Sequence, residues 1–316
     1  MSGATGWTSI AERGSLLGMR VAVWFYRRLG KRWSAYFILP IVAYFFLTDR
    51  RGRRASRRYL DRLYARPEGR AALGHPPRLG DSFLHYREFA LMILDRLSFA
   101  LGDTAGVEIT LDGREHFERL MAARRGAILL GAHLGSFDAL RLLAERSGIA
   151  VNVLMVTRHA PRINAILRRL NPAADLRVIH SDPASIQWVF QLRAAVARGE
   201  FLAILGDRVG PEEPRRALRV PFLGAAAPFP PGPFVLASAL GCPVLFIVGL
   251  RVSATTYAVF AELLAERVVL SDGDRTATLQ ALLAAYSRRL EAYCFQGPYQ
   301  WFNFYDFWAE DAEAGR

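Results

Sequence analysis

Hydrophobic and polar positions divide the chain into two unlike parts. Leu16 to Leu29 and Trp33 to Thr48 are apolar and aromatic; the second run lasts 16 residues and carries Pro40 near its middle. Both read as short helices. Tyr86 to Leu101 repeats Phe89, Met92, Ile93 and Leu97 at helical spacing, the mark of a packing helix. From Val107 onward, short β-type runs alternate with helical ones. The predicted strands are Val107–Leu111, Ala127–Gly131, Val151–Val156, Leu176–Ile179, Phe201–Leu205 and Val244–Val252. Thr256–Leu263 is expected to pair back on the last of these. Helices are predicted at Glu115–Arg124, Phe137–Arg146 (stopped by Gly148), Pro161–Leu170, Ser185–Arg198, Phe234–Leu240 and Thr276–Cys294. Such alternation predicts an α/β fold with a largely parallel sheet covered by helices. Neither an internal repeat nor a low-complexity linker interrupts it.

Charge changes the picture at the N-terminal end. The 316 residues are 52% hydrophobic, enough for a sizeable core, yet carry a net charge of +12. That balance favours acidic partners: anionic lipid, an acidic carrier protein or nucleic acid. Lys31 is the only lysine. Arg27, Arg28, Lys31 and Arg32 flank the 16-residue run on one side; Arg50, Arg51, Arg53, Arg54, Arg57 and Arg58 flank it on the other. A spanning helix needs roughly 20 apolar residues, and a single pass does not carry positive charge at both ends. An interfacial or re-entrant segment is therefore expected, with aromatics at headgroup depth and arginines on lipid phosphates. The plain alternative is a helix buried in the core of a soluble protein. Residues 1–66 are expected to form this membrane-associating part, and residues 67–316 an α/β domain. Cys242 and Cys294 are distant and set among apolar residues, as in a reduced, cytoplasm-facing protein. Met1 to Glu12 lack the order of a secretory signal.

The candidate chemistry lies where predicted strands end. His133-Leu134-Gly135-Ser136-Phe137-Asp138 follows an apolar strand and opens a helix, which places an imidazole at a sheet edge with Asp138 one turn into the helix and expected to point back at it. A histidine paired with a carboxylate is a general base of fixed tautomer. Alone, the pair is equally a hydrogen-bonded structural feature. A second strand, Phe201–Leu205, ends in Gly206-Asp207-Arg208 and delivers a carboxylate and a guanidinium to the same carboxyl edge, where ligands of open α/β sheets gather. Its plain reading is a surface turn. Val220 to Phe234 is apolar and rigid: either the wall of a hydrocarbon groove, with a helix N-terminus at Gly232 offering N–H groups to an anion, or a packed loop.

In this order, HxxxxD, Gly-Asp-Arg after a buried strand, Pro-Gly-Pro-Phe and the tail Pro298-Tyr299-Gln300-Trp301-Phe302-Asn303-Phe304, the chain resembles the glycerolipid acyltransferase superfamily. More narrowly, it is similar to the lipid A biosynthesis (lauroyl/myristoyl-type) late acyltransferase family, from about Arg20 to Trp308. Asp138 stands where many members have Glu. The tail continues Tyr305-Asp306-Phe307-Trp308 where lipid A enzymes turn basic, more like relatives of aryl-polyene pathways.

The resemblance implies a catalytic set of His133, Asp138 and Arg208. His133 deprotonates an acceptor hydroxyl while Asp138 holds its other nitrogen, and Arg208 or backbone N–H groups meet the oxyanion; such donors are worth roughly 3 to 4 kcal/mol each. Gly135, Ser136, Gly206, Asp207 and Gly232 would bind substrate, with Asp207 orienting Arg208 or a hydroxyl. Arg158 would reach an acceptor phosphate, unless it is a solvated strand-end residue. The donor implied is a thioester of acyl carrier protein, with acyl-CoA as the alternative; the place is the cytoplasmic face of a bacterial inner membrane. Neither cofactor nor metal is implied. An acyl-enzyme is not required, since GxSxG is absent. The rivals are a thioester hydrolase using the same base and a non-catalytic arginine-rich membrane protein. Metal catalysis lacks a motif, since His133, His159 and His180 are scattered. Nucleic-acid motifs are absent too.

Overall fold

A computed structural model describes residues 16–156, 177–181, 186–210 and 216–309. Four helices precede the first strand: α1 (Leu16–Thr48), α2 (Arg50–Ala65), α3 (Pro67–Leu73) and α4 (Leu79–Ala100). There follow β1 (Glu108–Asp112), α5 (Arg114–Ala122), β2 (Ile128–Gly131), α6 (Phe137–Arg146), β3 (Val151–Val156) and β4 (Arg177–Ser181). Next come α7 (Gln187–Ala197), β5 (Phe201–Leu205), β6 (Leu218–Phe222), β7 (Ala225–Phe229) and α8 (Gly232–Leu240). The chain closes with β8 (Val244–Arg251), β9 (Thr256–Ala265) and α9 (Arg275–Gln296).

The main sheet has seven strands in the order β1-β9-β8-β2-β5-β3-β4. Strands β8, β2, β5, β3 and β4 run parallel, whereas β9 pairs antiparallel with β8 and parallel with β1. This is the predicted α/β architecture, including the return of Thr256–Leu263 onto β8. Central parallel strands are buried on both faces and so read as unbroken apolar runs. Along β2, Ile128 and Leu130 enter one core with Phe246, Tyr286 and Trp301, while Leu129 and Ala127 enter a second with Phe117, Phe201 and Leu245. Alternation along the strand feeds both layers.

The two predicted N-terminal helices form one element bent at Gly30, whose φ of 72° and ψ of 177° interrupt the helix. One face of α1 packs inward through Tyr26, Val42 and Phe46. Its other face exposes Trp33, Tyr36, Phe37, Ile41, Tyr44 and Leu47, at spacings of one to four residues that keep them on one stripe. Among the described residues no helix is long and apolar enough to cross a membrane. Lys31, expected to flank a lipid-facing run, turns inward instead: Nζ lies 2.8 Å from Asp95, which is almost wholly buried and also meets Arg251 at 2.9 Å. A buried carboxylate needs such partners, and this one ties α1 and α4 to the end of β8. The basic flank after Thr48 forms α2, started by the Asp49 side chain accepting from Gly52 N.

Val220–Phe234 takes the packed alternative. Residues 218–229 form the β6–β7 hairpin, and Phe222, Phe229 and Phe234 are fully buried. The predicted helix Pro161–Leu170 lies outside the described residues.

Candidate active site

Strand register brings the chemistry together. β2 and β5 are adjacent and parallel, with Gly131 opposite Leu205. His133 and Asp207 each stand two residues beyond that pair, at the carboxyl end of the sheet. Asp207 is fully buried. Its Oδ1 accepts from His133 Nδ1 at 2.7 Å. Its Oδ2 accepts from the backbone N–H of His133 at 2.9 Å, from Trp301 Nε1 at 3.0 Å and from Asn303 Nδ2 at 3.1 Å. A carboxylate only accepts, so the proton sits on Nδ1 and the lone pair of the neutral ring on Nε2.

The closing segment is sewn onto the site. Phe302 N donates to His133 O at 2.7 Å, and Gly135 N to Gln300 O at 2.9 Å. The Gln300 amide clasps the backbone of Arg251 through both its oxygen and its nitrogen. Arg208 turns to the same segment: Nε donates to Asn303 Oδ1 at 2.7 Å and a terminal nitrogen to Phe302 O at 2.8 Å, while the guanidinium faces the Tyr305 ring. Asp306, the acidic departure in the tail, pairs with Arg58 of α2.

Electrostatics suit a base. Burial drives the His133 imidazole below its ordinary value; Asp207 opposes that shift and Arg208 adds to it. The ring is therefore neutral near pH 7, with a quarter of the side chain still exposed. Burial pushes the Asp207 carboxyl up, but the charge and hydrogen bond of His133, the charge of Arg208 and the His133 N–H outweigh it, holding Asp207 down to about 2.

Asp138 is not the partner of His133, contrary to the expectation from spacing. Its carboxylate lies 3.9 Å from Arg96 of α4 and makes no hydrogen bond to the imidazole. Burial raises its pKa, against Arg96 and Arg141. The reason is topological: the neighbouring in-register strand presents Asp207 to Nδ1, while the first turn of α6 faces α4.

A model of the bacterial lipid A biosynthesis acyltransferases matches residues 82–309, more than two thirds of the chain, with His133, Asp207 and the closing segment inside the match. The chain belongs to the bacterial lipid A biosynthesis acyltransferase family. No curated protein matches it. As a member of that family it is an acyltransferase, an enzyme that transfers an acyl group to a lipid or saccharolipid acceptor.

Several other expected site residues of this acyltransferase shape the backbone. Gly135 has φ of +71°, and a Cβ there would lie 2.1 Å from Gly249 O. Only glycine fits that approach, which lets Ser136 N donate to Gly249 O at 2.7 Å. Ser136 is buried and its Oγ accepts from Ala139 N, capping α6. At Gly206 a Cβ would meet Leu130 at 2.7 Å. Gly232 begins α8, whose far end leads into β8, so it lies at the carboxyl end of the sheet; no hydrogen bond joins it to the dyad. Arg158 lies outside the described residues.

Sequence reasoning missed Asp207 as the partner of His133, and it missed Trp301, Asn303 and His85. His85 is fully buried and held to about pKa 4 by burial, against its hydrogen bond to Trp301. A carbonyl only accepts, so Nε2–H donates to Trp301 O at 2.9 Å and Nδ1 accepts from Ser56 Oγ at 3.0 Å. The signal available was that His133 and Asp207 each stand just past a buried apolar run.

Proposed function

We propose that this protein is a membrane-associated O-acyltransferase that moves a fatty acyl group from a thioester, carried by acyl carrier protein in preference to coenzyme A, to a hydroxyl of a lipid or saccharolipid acceptor. The observation that carries this reading is the 2.7 Å contact between His133 Nδ1 and buried Asp207, which leaves Nε2 as the basic nitrogen. Nε2 takes the proton of the acceptor hydroxyl as its oxygen attacks the thioester carbonyl carbon. The carbon–oxygen bond forms and the carbonyl π electrons move to oxygen. As the tetrahedral intermediate collapses, the carbon–sulfur bond breaks and the leaving thiolate takes the proton from the imidazolium. Asp207 keeps its charge throughout and holds the tautomer, the role expected of Asp138. Arg208 acts on the dyad through its charge and, with backbone N–H groups, meets the oxyanion.

Residues 1–66 serve as the membrane-associating part and residues 67–316 as the acyltransferase domain. What supports this is the exposed aromatic stripe of α1 beside the arginines of α2, of which Arg54, Arg57, Arg58 and Arg62 line an open hollow. Aromatic rings lie at headgroup depth and guanidinium groups bind lipid phosphates, on the cytoplasmic face of a bacterial inner membrane. The net charge of +12 also suits an acidic carrier protein.

Incubation of the purified protein in detergent with radiolabelled acyl carrier protein thioester and total membrane lipid tests the reading. Labelled lipid ester, lost in His133→Ala, is expected. Labelled free fatty acid alone makes the site a hydrolase and overturns it.

A further inference from the structure

We infer that Asn303 and Trp301 are positioning residues of the acyl transfer, acting on His133 through Asp207. The inference rests on the reading of His133 as the base. Asp207 has two oxygens with unlike tasks. Among the described residues Oδ1 has His133 Nδ1 as its one hydrogen-bond partner, at 2.7 Å. Oδ2 receives three donors: Trp301 Nε1, Asn303 Nδ2 and the His133 backbone N–H. Those three fix the rotation of the carboxylate, which aims Oδ1 at the ring.

The Asn303 amide cannot turn over. Arg208 has only donors, so the 2.7 Å contact from its Nε requires Asn303 Oδ1 on that side. The amide nitrogen then has to face Asp207. Arg208 thus sets the direction of Asn303, and Asn303 sets that of Asp207. Trp301 is held independently: it is fully buried, its ring meets Tyr59 and Phe222, and its carbonyl accepts from His85 Nε2 at 2.9 Å. Two residues of one closing segment, each oriented from outside the dyad, converge on one carboxylate oxygen. Packing alone does not account for that convergence, because apolar side chains fill a core without aiming polar hydrogens at one oxygen.

The donors on Oδ2 also draw negative charge away from Oδ1. Losing one concentrates charge opposite the imidazole, stabilises the imidazolium and raises the pH at which the base is protonated. It also frees the carboxylate to rotate.

The test compares Trp301→Phe, which removes the indole N–H and leaves a smaller aromatic ring, with Asn303→Leu, which removes the amide at similar volume. His133→Ala and wild type are controls, and kcat and kcat/KM are read against pH along with thermal stability. The expected result is a loss of about 10- to 100-fold in kcat for each variant, the scale of one hydrogen bond to a charged group. It comes with an acid limb of kcat/KM displaced to higher pH, which the loss of packing volume in Trp301→Phe does not by itself produce. If both folded variants keep the wild-type limb, the inference falls, and any loss of rate that merely follows loss of stability is structural. Should Asn303→Leu fail to fold, Trp301→Phe decides alone. The dyad is judged separately: transfer surviving in His133→Ala overturns the base itself, whereas an inactive His133→Ala beside unmoved limbs overturns only the positioning role.

Discussion

Replacing Asp207 by Asn changes one atom of the site and reverses the direction of a hydrogen bond. The new side chain keeps one oxygen and gains an NH2 group. Three donors converge on the Oδ2 position, from the His133 backbone, Trp301 and Asn303. Turning the NH2 group toward them would leave buried donors facing a donor, at about 1 to 3 kcal/mol each. The oxygen therefore stays there and the NH2 group faces His133 Nδ1. That nitrogen becomes an acceptor, the ring proton moves to Nε2, and the lone pair needed for proton abstraction is lost. Holding a catalytic imidazole in the wrong tautomer costs about 10⁴ in kcat, or about 5 kcal/mol on the barrier. Asp138→Asn acts on a carboxylate that makes no hydrogen bond to the imidazole and whose ionic neighbour is Arg96, 3.9 Å away, so it should cost less than about tenfold in kcat. Initial rates of acyl transfer from labelled carrier thioester measure both, with circular dichroism to confirm folding. Near-normal rates in Asp207→Asn, beside a thousand-fold loss in Asp138→Asn, would refute the assignment.

Other outcomes follow from the same contacts. His85 titrates at about 4 when folded and near 6.5 when unfolded, so over that interval the unfolded chain binds the extra proton. Its share of stability is intact above pH 6.5 and declines by about 3 kcal/mol as pH falls to 4; denaturant unfolding of wild type and His85→Gln at both pH values should show that decline shrinking in the variant. Gly135→Ala sets a Cβ 2.1 Å from Gly249 O at a left-handed φ, so it should lose most activity and at least about 1 kcal/mol of stability in a melting experiment. Exchanging Trp33, Tyr36 and Tyr44 for Ser removes three exposed rings from α1. Flotation with anionic vesicles should show binding reduced at least tenfold, since a large apolar side chain contributes about 1.5 to 3 kcal/mol when buried.

The sheet was legible because its strands are buried on both faces: Ile128–Leu130, Phe201–Leu205 and Val244–Leu250 are continuous apolar runs that nothing else explains. The turn at His133 and the Gly-Asp-Arg block were legible as polar residues at the ends of such runs. Their pairing was not, because it depends on β2 and β5 being neighbours, and crossover connections of different length hide that order. Spacing within one helix turn favoured Asp138, although sheet register brings Asp207 closer. Trp301 and Asn303 stand 94 and 96 residues from Asp207, and Trp301 stands 216 from His85; no local pattern carries such a contact. The α2 arginines were visible as charge but not as a helix, since their apolar complement (Ala55, Tyr59, Leu60 and Leu63) is interleaved with them. The bend at Gly30 falls in the gap between the two apolar runs Leu16 to Leu29 and Trp33 to Thr48.

The central claim is that His133 is the base, and titration tests it most directly. The imidazole pKa of His133 is read by NMR in protein carrying labelled histidine, assigned by loss of its signal in His133→Ala, and set beside the acid limb of kcat/KM for acyl transfer. The two should coincide, below the ordinary histidine value near 6.5. A kinetic limb that departs from the His133 titration, or transfer that persists at wild-type rate in His133→Ala, would contradict it.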